Sequence, residues 1–378
     1  MPAVLRLLSA RACSLGYGHQ RPLLAFLKKN HPVLLQGNQR SLTSSGGVGD
    51  PENKGQPQRG VNFDTIGSWN NRIDLPVNIE ESIKTGKLIP HISLDTCAHA
   101  TSLGRRKTNE DKVLLLSLAP DLLLFGIFDG HGGPLAVEYV TEYLPSHLSY
   151  WLERGEKDLR KVLFNSFVEV NNAFTRYLFF NYAGDDGALA SGTTATVALL
   201  RNSVELVVGH VGDSNAIICR GGQALRLSPK HEPDVEEEKN RIKRCGGTVI
   251  YNSVGKPRVN GRLEMTRSIG DVEMKPFGVI AEPHIRSVGV KHGTDAFLLL
   301  TTDGVSFAMT DQEMLNIAST CEDPQDAASV VVDQSLQYGS EDNCTALVVP
   351  FGAWGKYARS PSSVTYNFGR NIVGNRYR

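Results

Sequence analysis

The chain has 378 residues, 40% of them hydrophobic and 21% charged, which supplies enough apolar material for a packed core and excludes a disordered composition. Forty Lys and Arg balance forty Asp and Glu, yet residues 1–49 hold Arg6, Arg11, Arg21, Lys28, Lys29 and Arg40 and no acid. The remainder therefore carries 34 basic against 40 acidic residues, the wrong sign for a nucleic-acid binder.

In chain order, residues 1–45 read as a mitochondrial transit peptide. Arginines are spaced through apolar and small residues, with Ser9, Ser14, Ser41, Ser44 and Ser45. A secretory signal would not carry Arg6 and Arg11 inside its apolar core. Residues 46–75 read as a linker, since Gly, Ser, Pro and Gln dominate there without an apolar period. A folded domain is expected over 76–352, followed by a basic, polar tail over 353–378. No stretch approaches 18 continuous apolar residues, so no membrane span is expected. The six cysteines form no CxxC and read as reduced thiols in a reducing compartment.

Within the domain, residues 113–118, 122–128, 193–200, 205–211, 216–219, 296–300 and 346–349 are short runs rich in apolar or β-branched residues, and each reads as a strand. Runs apolar on both faces predict strands buried between layers. The turn Gly212-Asp213-Ser214 between two of them reads as a hairpin. A helix is expected over 159–178, where Leu159, Val162, Leu163, Phe167, Val170, Phe174 and Leu178 make one stripe. Pro233 and Gly246-Gly247 bracket another, and Thr310 with Glu313 forms a capping box before a third. Helices fall between groups of strands, so the fold class is α+β with antiparallel sheets.

Five of these strands carry a carboxylate at one end: Glu110-Asp111, Asp129, Asp213, Asp303 and Asp342. Each acid alone also fits an ordinary turn. If the ends share one edge, the carboxylates converge and demand a cation. An all-oxygen set without a His/Cys cluster favours Mg²⁺ or Mn²⁺ over zinc.

The runs Arg106-Lys107-Thr108-Asn109-Glu110-Asp111, Phe128-Asp129-Gly130-His131-Gly132-Gly133, Ser191-Gly192-Thr193-Thr194, Val211-Gly212-Asp213-Ser214, Thr266-Arg267-Ser268-Ile269-Gly270-Asp271, Thr302-Asp303-Gly304 and Glu341-Asp342-Asn343 resemble, in order, the metal-dependent serine/threonine phosphatases of the 2C type. The resemblance covers roughly residues 95–350. It implies a central sandwich of two antiparallel β-sheets flanked by helices on both sides. It also implies two Mn²⁺ or Mg²⁺ ions per subunit bridged by Asp129. Gly130 would offer its carbonyl to one ion, and Glu110, Asp303 and Asp342 would serve the other. Arg106 matches the phosphate-binding arginine, His131 the proposed general acid, and Asp213 a ligand of a weaker third ion. The chain departs from the pattern at Phe307, where an acid often stands, and at Asn215, where arginine often follows the Gly-Asp-Ser turn.

Other hydrolase signatures are missing: no cysteine is followed six positions later by arginine, and there is no GxSxG and no GxxxxGK. The segments 69–74, 83–92 and 351–357 are similar to the mitochondrial phosphatases of the branched-chain 2-oxoacid dehydrogenase complex. That similarity implies a phosphoprotein substrate in the mitochondrial matrix, the decarboxylase component of the complex, and a push towards branched-chain amino-acid breakdown. Two other readings stay open here: a phosphatase with another mitochondrial target, such as pyruvate dehydrogenase, and a catalytically silent binding protein of the same fold. Trp69 and Trp354 could equally serve only to pack on the domain.

Overall fold

The computed structural model describes residues 75–358; residues 1–45, read above as a transit peptide, the segment 69–74 with Trp69, and the chain beyond residue 358 lie outside them. The strands in order are β1 (Ala98–Ser102), β2 (Asp111–Ala119), β3 (Leu122–His131), β4 (Gly192–Thr193), β5 (Ala195–Arg201), β6 (Glu205–Val211) and β7 (Asn215–Arg220). They continue with β8 (Gln223–Arg226), β9 (Val249–Tyr251), β10 (Pro257–Val259), β11 (Ile269–Gly270), β12 (His284–Gly289), β13 (Asp295–Thr301) and β14 (Cys344–Pro350). One sheet runs β1-β14-β13-β7-β8. The other runs β11-β4-β3-β5-β6-β12, with β2 paired to β3, while β9 and β10 form a separate hairpin. These strand pairs are all antiparallel.

The two-residue period of a strand explains the layering. In β5, Val197 and Leu199 face the helices Leu135–Glu153 and Leu159–Asn181, packing on Val140, Leu144, Leu163 and Phe167. Their neighbours Ala198 and Leu200 point the other way, into the layer between the sheets. β13 repeats this arrangement. Leu298 and Leu300 enter the central layer beside Leu347 and Val349. Phe297 and Leu299 meet the helices Asp311–Thr320 and Pro324–Gln337 through Met314, Leu315, Val331 and Val332. The result is the expected helix–sheet–sheet–helix sandwich. Each fully buried Leu, Ile, Val or Phe contributes roughly 1.5–3 kcal/mol of transfer free energy.

Two details differ from the sequence reading. β6 and β7 do not form a hairpin: β6 pairs with β5 and β12, and β7 with β8 and β13. Both strands are apolar on both faces, so each takes two neighbours of its own, and Gly212-Asp213-Ser214 becomes a crossing from one sheet to the other. The segment 351–357 also packs into the domain. Trp354 is 1% exposed, lies edge-on to Phe297 at 5.4 Å between ring centroids, and donates Nε1–H to the Glu322 carbonyl at 2.9 Å.

Candidate metal centre

The sandwich brings one set of strand ends to a common edge. In the β2–β3 ladder, Asp111 pairs with Asp129. Side chains directly opposite on one face stand about 5 Å apart at Cβ. In the other sheet, β13 ends and β14 begins at this edge. Asp303 there opens the short helix Asp303–Ser306, and Asp342 stands just before β14. Asp213 arrives from the crossing between the sheets. The backbone is closely fitted at this edge. A Cβ on Gly304 would lie 2.0 Å from the Asn343 carbonyl oxygen, and one on Gly104 would lie 2.1 Å from that of Asp342.

The acids act on one another. Burial raises the Asp129 carboxyl well above the ordinary range, and Asp303, Asp111 and Asp213 raise it further. Asp129 and Asp303 are near enough to share a proton, and Asp303 is raised too, first by burial. Asp213 is pushed up to about 7 by burial and then by Asp303, against the pull of Lys230 and His131. Two unit charges 4 Å apart repel by about 4 kcal/mol at an effective dielectric of 20. Such a cluster relieves that repulsion by taking up protons or by holding cations.

Asp111 belongs to the cluster, although the sequence pointed to its neighbour Glu110. Its Oδ2 accepts from Thr302 Oγ1 at 3.0 Å and Thr345 Oγ1 at 2.6 Å. Burial pushes its carboxyl up to about 7 despite those two bonds, with Asp303 and Asp342 adding to the rise. Glu110 is half-buried at the head of the strand, its N–H donating to Asn343 Oδ1 at 2.9 Å, and its charge acts on His131. The signal for Asp111 was present in the alternation of β2: registered against Asp129, it is the residue that shares a face with it.

A divalent cation fits this donor set. Asp111 Oδ1 and Asp213 Oδ1 are buried without a hydrogen-bond partner, and every side-chain donor is an oxygen. Among the described residues no group of three or more His, Cys, Asp or Glu stands placed to hold a metal ion by itself, so a cation here would depend on backbone carbonyls and water as well, as Mg²⁺ sites commonly do. Gly130 has its N–H on the Glu110 carbonyl at 3.2 Å, beside Asp129.

Arg106 reaches the same edge. Its Nη2 donates to Asp342 Oδ2 at 2.6 Å, and the side chain is 61% exposed. That bond raises its pKa first, with Asp303 and Asp129 contributing from farther away. His131, at the end of β3, places Nε2 2.9 Å from Asp271 Oδ2. Burial works to lower the imidazole pKa, but the Asp271 charge and hydrogen bond outweigh it and hold the pKa above its ordinary value. Phe307 is 60% exposed with Lys256 Nζ 5.2 Å from its ring centroid, and Asn215 is buried with its Oδ1 accepting from Arg226. Neither residue adds a negative charge near Asp213.

The sequence pattern described as Protein phosphatase 2C matches residues 99–344. The chain belongs to that family. It is a metal-dependent protein serine/threonine phosphatase, of a kind that typically uses Mn²⁺ or Mg²⁺. The phosphatase is 48% identical over 324 residues to "Protein phosphatase 1K, mitochondrial" of Xenopus laevis, covering 86% of this chain and 85% of that one. It is 36% identical over 261 residues to "Protein phosphatase 1L" of Bos taurus, covering 66% and 70%. Among solved structures, serine-threonine phosphatase 2C from Toxoplasma gondii matches with a TM-score of 0.60 at 25% identity, over 68% of this chain and 94% of that one. A sex-determining protein of C. elegans shares the fold at 21% identity and a TM-score of 0.63, over 71% and 68% of the two chains.

Proposed function

We propose that the phosphatase works in the mitochondrial matrix with two divalent cations and dephosphorylates the decarboxylase component of the branched-chain 2-oxoacid dehydrogenase complex. The observation that carries the two-metal reading is the convergence of Asp111, Asp129, Asp213 and Asp303, with Asp111 opposite Asp129 in the ladder, two carboxylate oxygens buried without partners, and each carboxyl raised first by burial and then by its neighbours. Asp129, the Gly130 carbonyl, Asp303, Asp342, Glu110 and Asp111 are the groups that would hold these cations, with Asp129 as the ligand that both would share. Asp213 would serve a weaker third ion, without the further acid that often stands at the Phe307 position. Bound cations supply Lewis acidity and a water of lowered pKa.

The protein's own groups do the rest. Arg106 exchanges Asp342 for two phosphate oxygens, which its planar fork suits. His131 gives a proton to the Ser or Thr oxygen as the phosphorus–oxygen bond breaks, and a water adds to phosphorus from the opposite side and gives up one proton to solvent, from which His131 is reprotonated. No side chain carries the phosphoryl group. The products are inorganic phosphate and the free hydroxyl. Release of phosphate from a phosphothreonine peptide, titrated with Mn²⁺, tests this reading. Absence of any Mn²⁺-dependent turnover overturns it in favour of a silent binding protein.

The mitochondrial assignment is supported by the acid-free basic segment 1–49 and by the printed name of the Xenopus laevis relative, whose alignment extends beyond the family domain into the flanks. Deletion in cells followed by phosphoproteomics of matrix proteins tests the target. Unchanged phosphorylation of the branched-chain decarboxylase, with another matrix protein hyperphosphorylated, would move the assignment to that protein.

A further inference from the structure

The reaction outlined above gives no task to the Thr266–Asp271 run, yet that run ends on a buried acid touching the proton donor. We propose that Asp271 is the positioning residue of His131: it anchors Nε2 and so fixes which face and which nitrogen of the ring meet the leaving oxygen. The proposal rests on the reading of His131 as proton donor.

The contact is built by three strands. His131 on β3 pairs with Gly192 on β4, and Gly192 pairs with Gly270 on β11, one residue before Asp271. The two side chains therefore meet over Gly192. A Cβ there would stand 2.2 Å from Asp271 Oδ2 and 2.4 Å from His131 Nε2, so only glycine leaves room for their bond. Asp271 itself is held at φ 47°, ψ 46°, a left-handed conformation that costs a residue with a Cβ about 1 kcal/mol or more. Its backbone N–H is fixed to the Ser191 carbonyl at 3.0 Å.

The carboxylate is steadied in turn. Ser268 Oγ donates to the same Oδ2 at 2.5 Å, and the half-buried Lys275 donates Nζ–H to the Ser268 carbonyl at 2.7 Å. The Asp271 side chain is 5% exposed, whereas His131 is 26% exposed and borders the site. With Nε2 taken, Nδ1 is the nitrogen without a hydrogen-bond partner. Nδ1 is enclosed in the resting site, so it would meet the departing alkoxide, and pass it a proton, only once substrate has entered beside the ring. Carboxylate partners that orient a functional histidine in this way are typically worth about 10- to 100-fold.

The test compares two substrates on the full-length enzyme with Mn²⁺. A phosphothreonine peptide has a leaving group that needs a proton, and p-nitrophenyl phosphate has one that does not. For His131→Ala the expected loss in kcat is about 10²- to 10⁴-fold on the peptide alone. For Asp271→Asn it is about 10- to 100-fold on the peptide, with peptide KM and p-nitrophenyl phosphate turnover near wild type. Asparagine has the same shape and tolerates the left-handed backbone, so the variant isolates the charge. Ser268→Ala, which removes only the steadying hydroxyl, is a second probe with an expected peptide-selective loss of about 2- to 10-fold. Equal losses on both substrates, or none, for Asp271→Asn and Ser268→Ala while His131→Ala remains selective would remove Asp271 from the mechanism. A non-selective His131→Ala would remove the proton-donor reading as well.

Discussion

Asp111 and Asp129 face each other across the β2–β3 ladder, and the Asp111 charge adds to the rise of the Asp129 carboxyl. The sign of the resulting pH dependence follows from Asp111. An unfolded aspartate titrates near 3.9, and the folded one near 7. The fold holds this proton more tightly, so the stabilising contribution is full below about pH 4 and is lost as pH rises through about 7. In EDTA, wild-type protein should lose melting temperature across that window relative to Asp111→Asn. Mn²⁺ should restore it at the upper end, where the ligands are ionised. Parallel melting curves for the two proteins would count against the coupling.

Asp129→Ala should bring Mn²⁺-dependent turnover to background, since the bridging position has no substitute. The same change should raise the melting temperature of the EDTA-treated protein, because it removes one member of a repelling set. Activity and stability moving in opposite directions separate a ligand from a structural acid. Differential scanning fluorimetry beside a phosphate-release assay reads both.

Arg106→Ala should weaken inhibition by inorganic phosphate by about 10- to 150-fold, the range for a charged hydrogen bond. Arg106→Lys should recover only part of this, because a point charge cannot reproduce the planar fork. Equal phosphate affinity in all three proteins would leave Arg106 as no more than the partner of Asp342.

Trp354→Ala should cost about 3–5 kcal/mol, measured by urea unfolding, because the indole is enclosed against Phe297 and the helices Asp311–Thr320 and Pro324–Gln337. Activity per folded molecule should stay near wild type. A loss below about 1 kcal/mol would mean that the segment 351–357 does not close the domain in solution.

The strands β2, β3, β5, β6, β7, β13 and β14 and the helix Leu159–Asn181 were legible because their apolar residues form short unbroken runs or recur at three and four positions. The helix Leu159–Asn181 and the capping box at Thr310 stand where the pattern put them. Pairing was harder to read. Nothing local in Gly212-Asp213-Ser214 says whether the next strand returns beside β6 or crosses to the other sheet, because both faces of both strands are apolar. The helix Pro324–Gln337 was passed over, since its buried face is made mostly of Ala, Ser and Val and lacks a bulky stripe. At the site, Asp111 and Asp271 needed the register of β2 on β3 and of β4 between β3 and β11. Those are long-range facts that spacing alone does not contain.

The fit of Gly304 and Gly104 against the turn before β14 has a consequence for inherited variation. An alanine at either position adds a single methyl and alters no charge, yet the backbone carrying Asp342 and Asn343 must retreat by more than an ångström. Gly104→Ala or Gly304→Ala would make a chain with every acid in place and the backbone around the proposed cation site displaced.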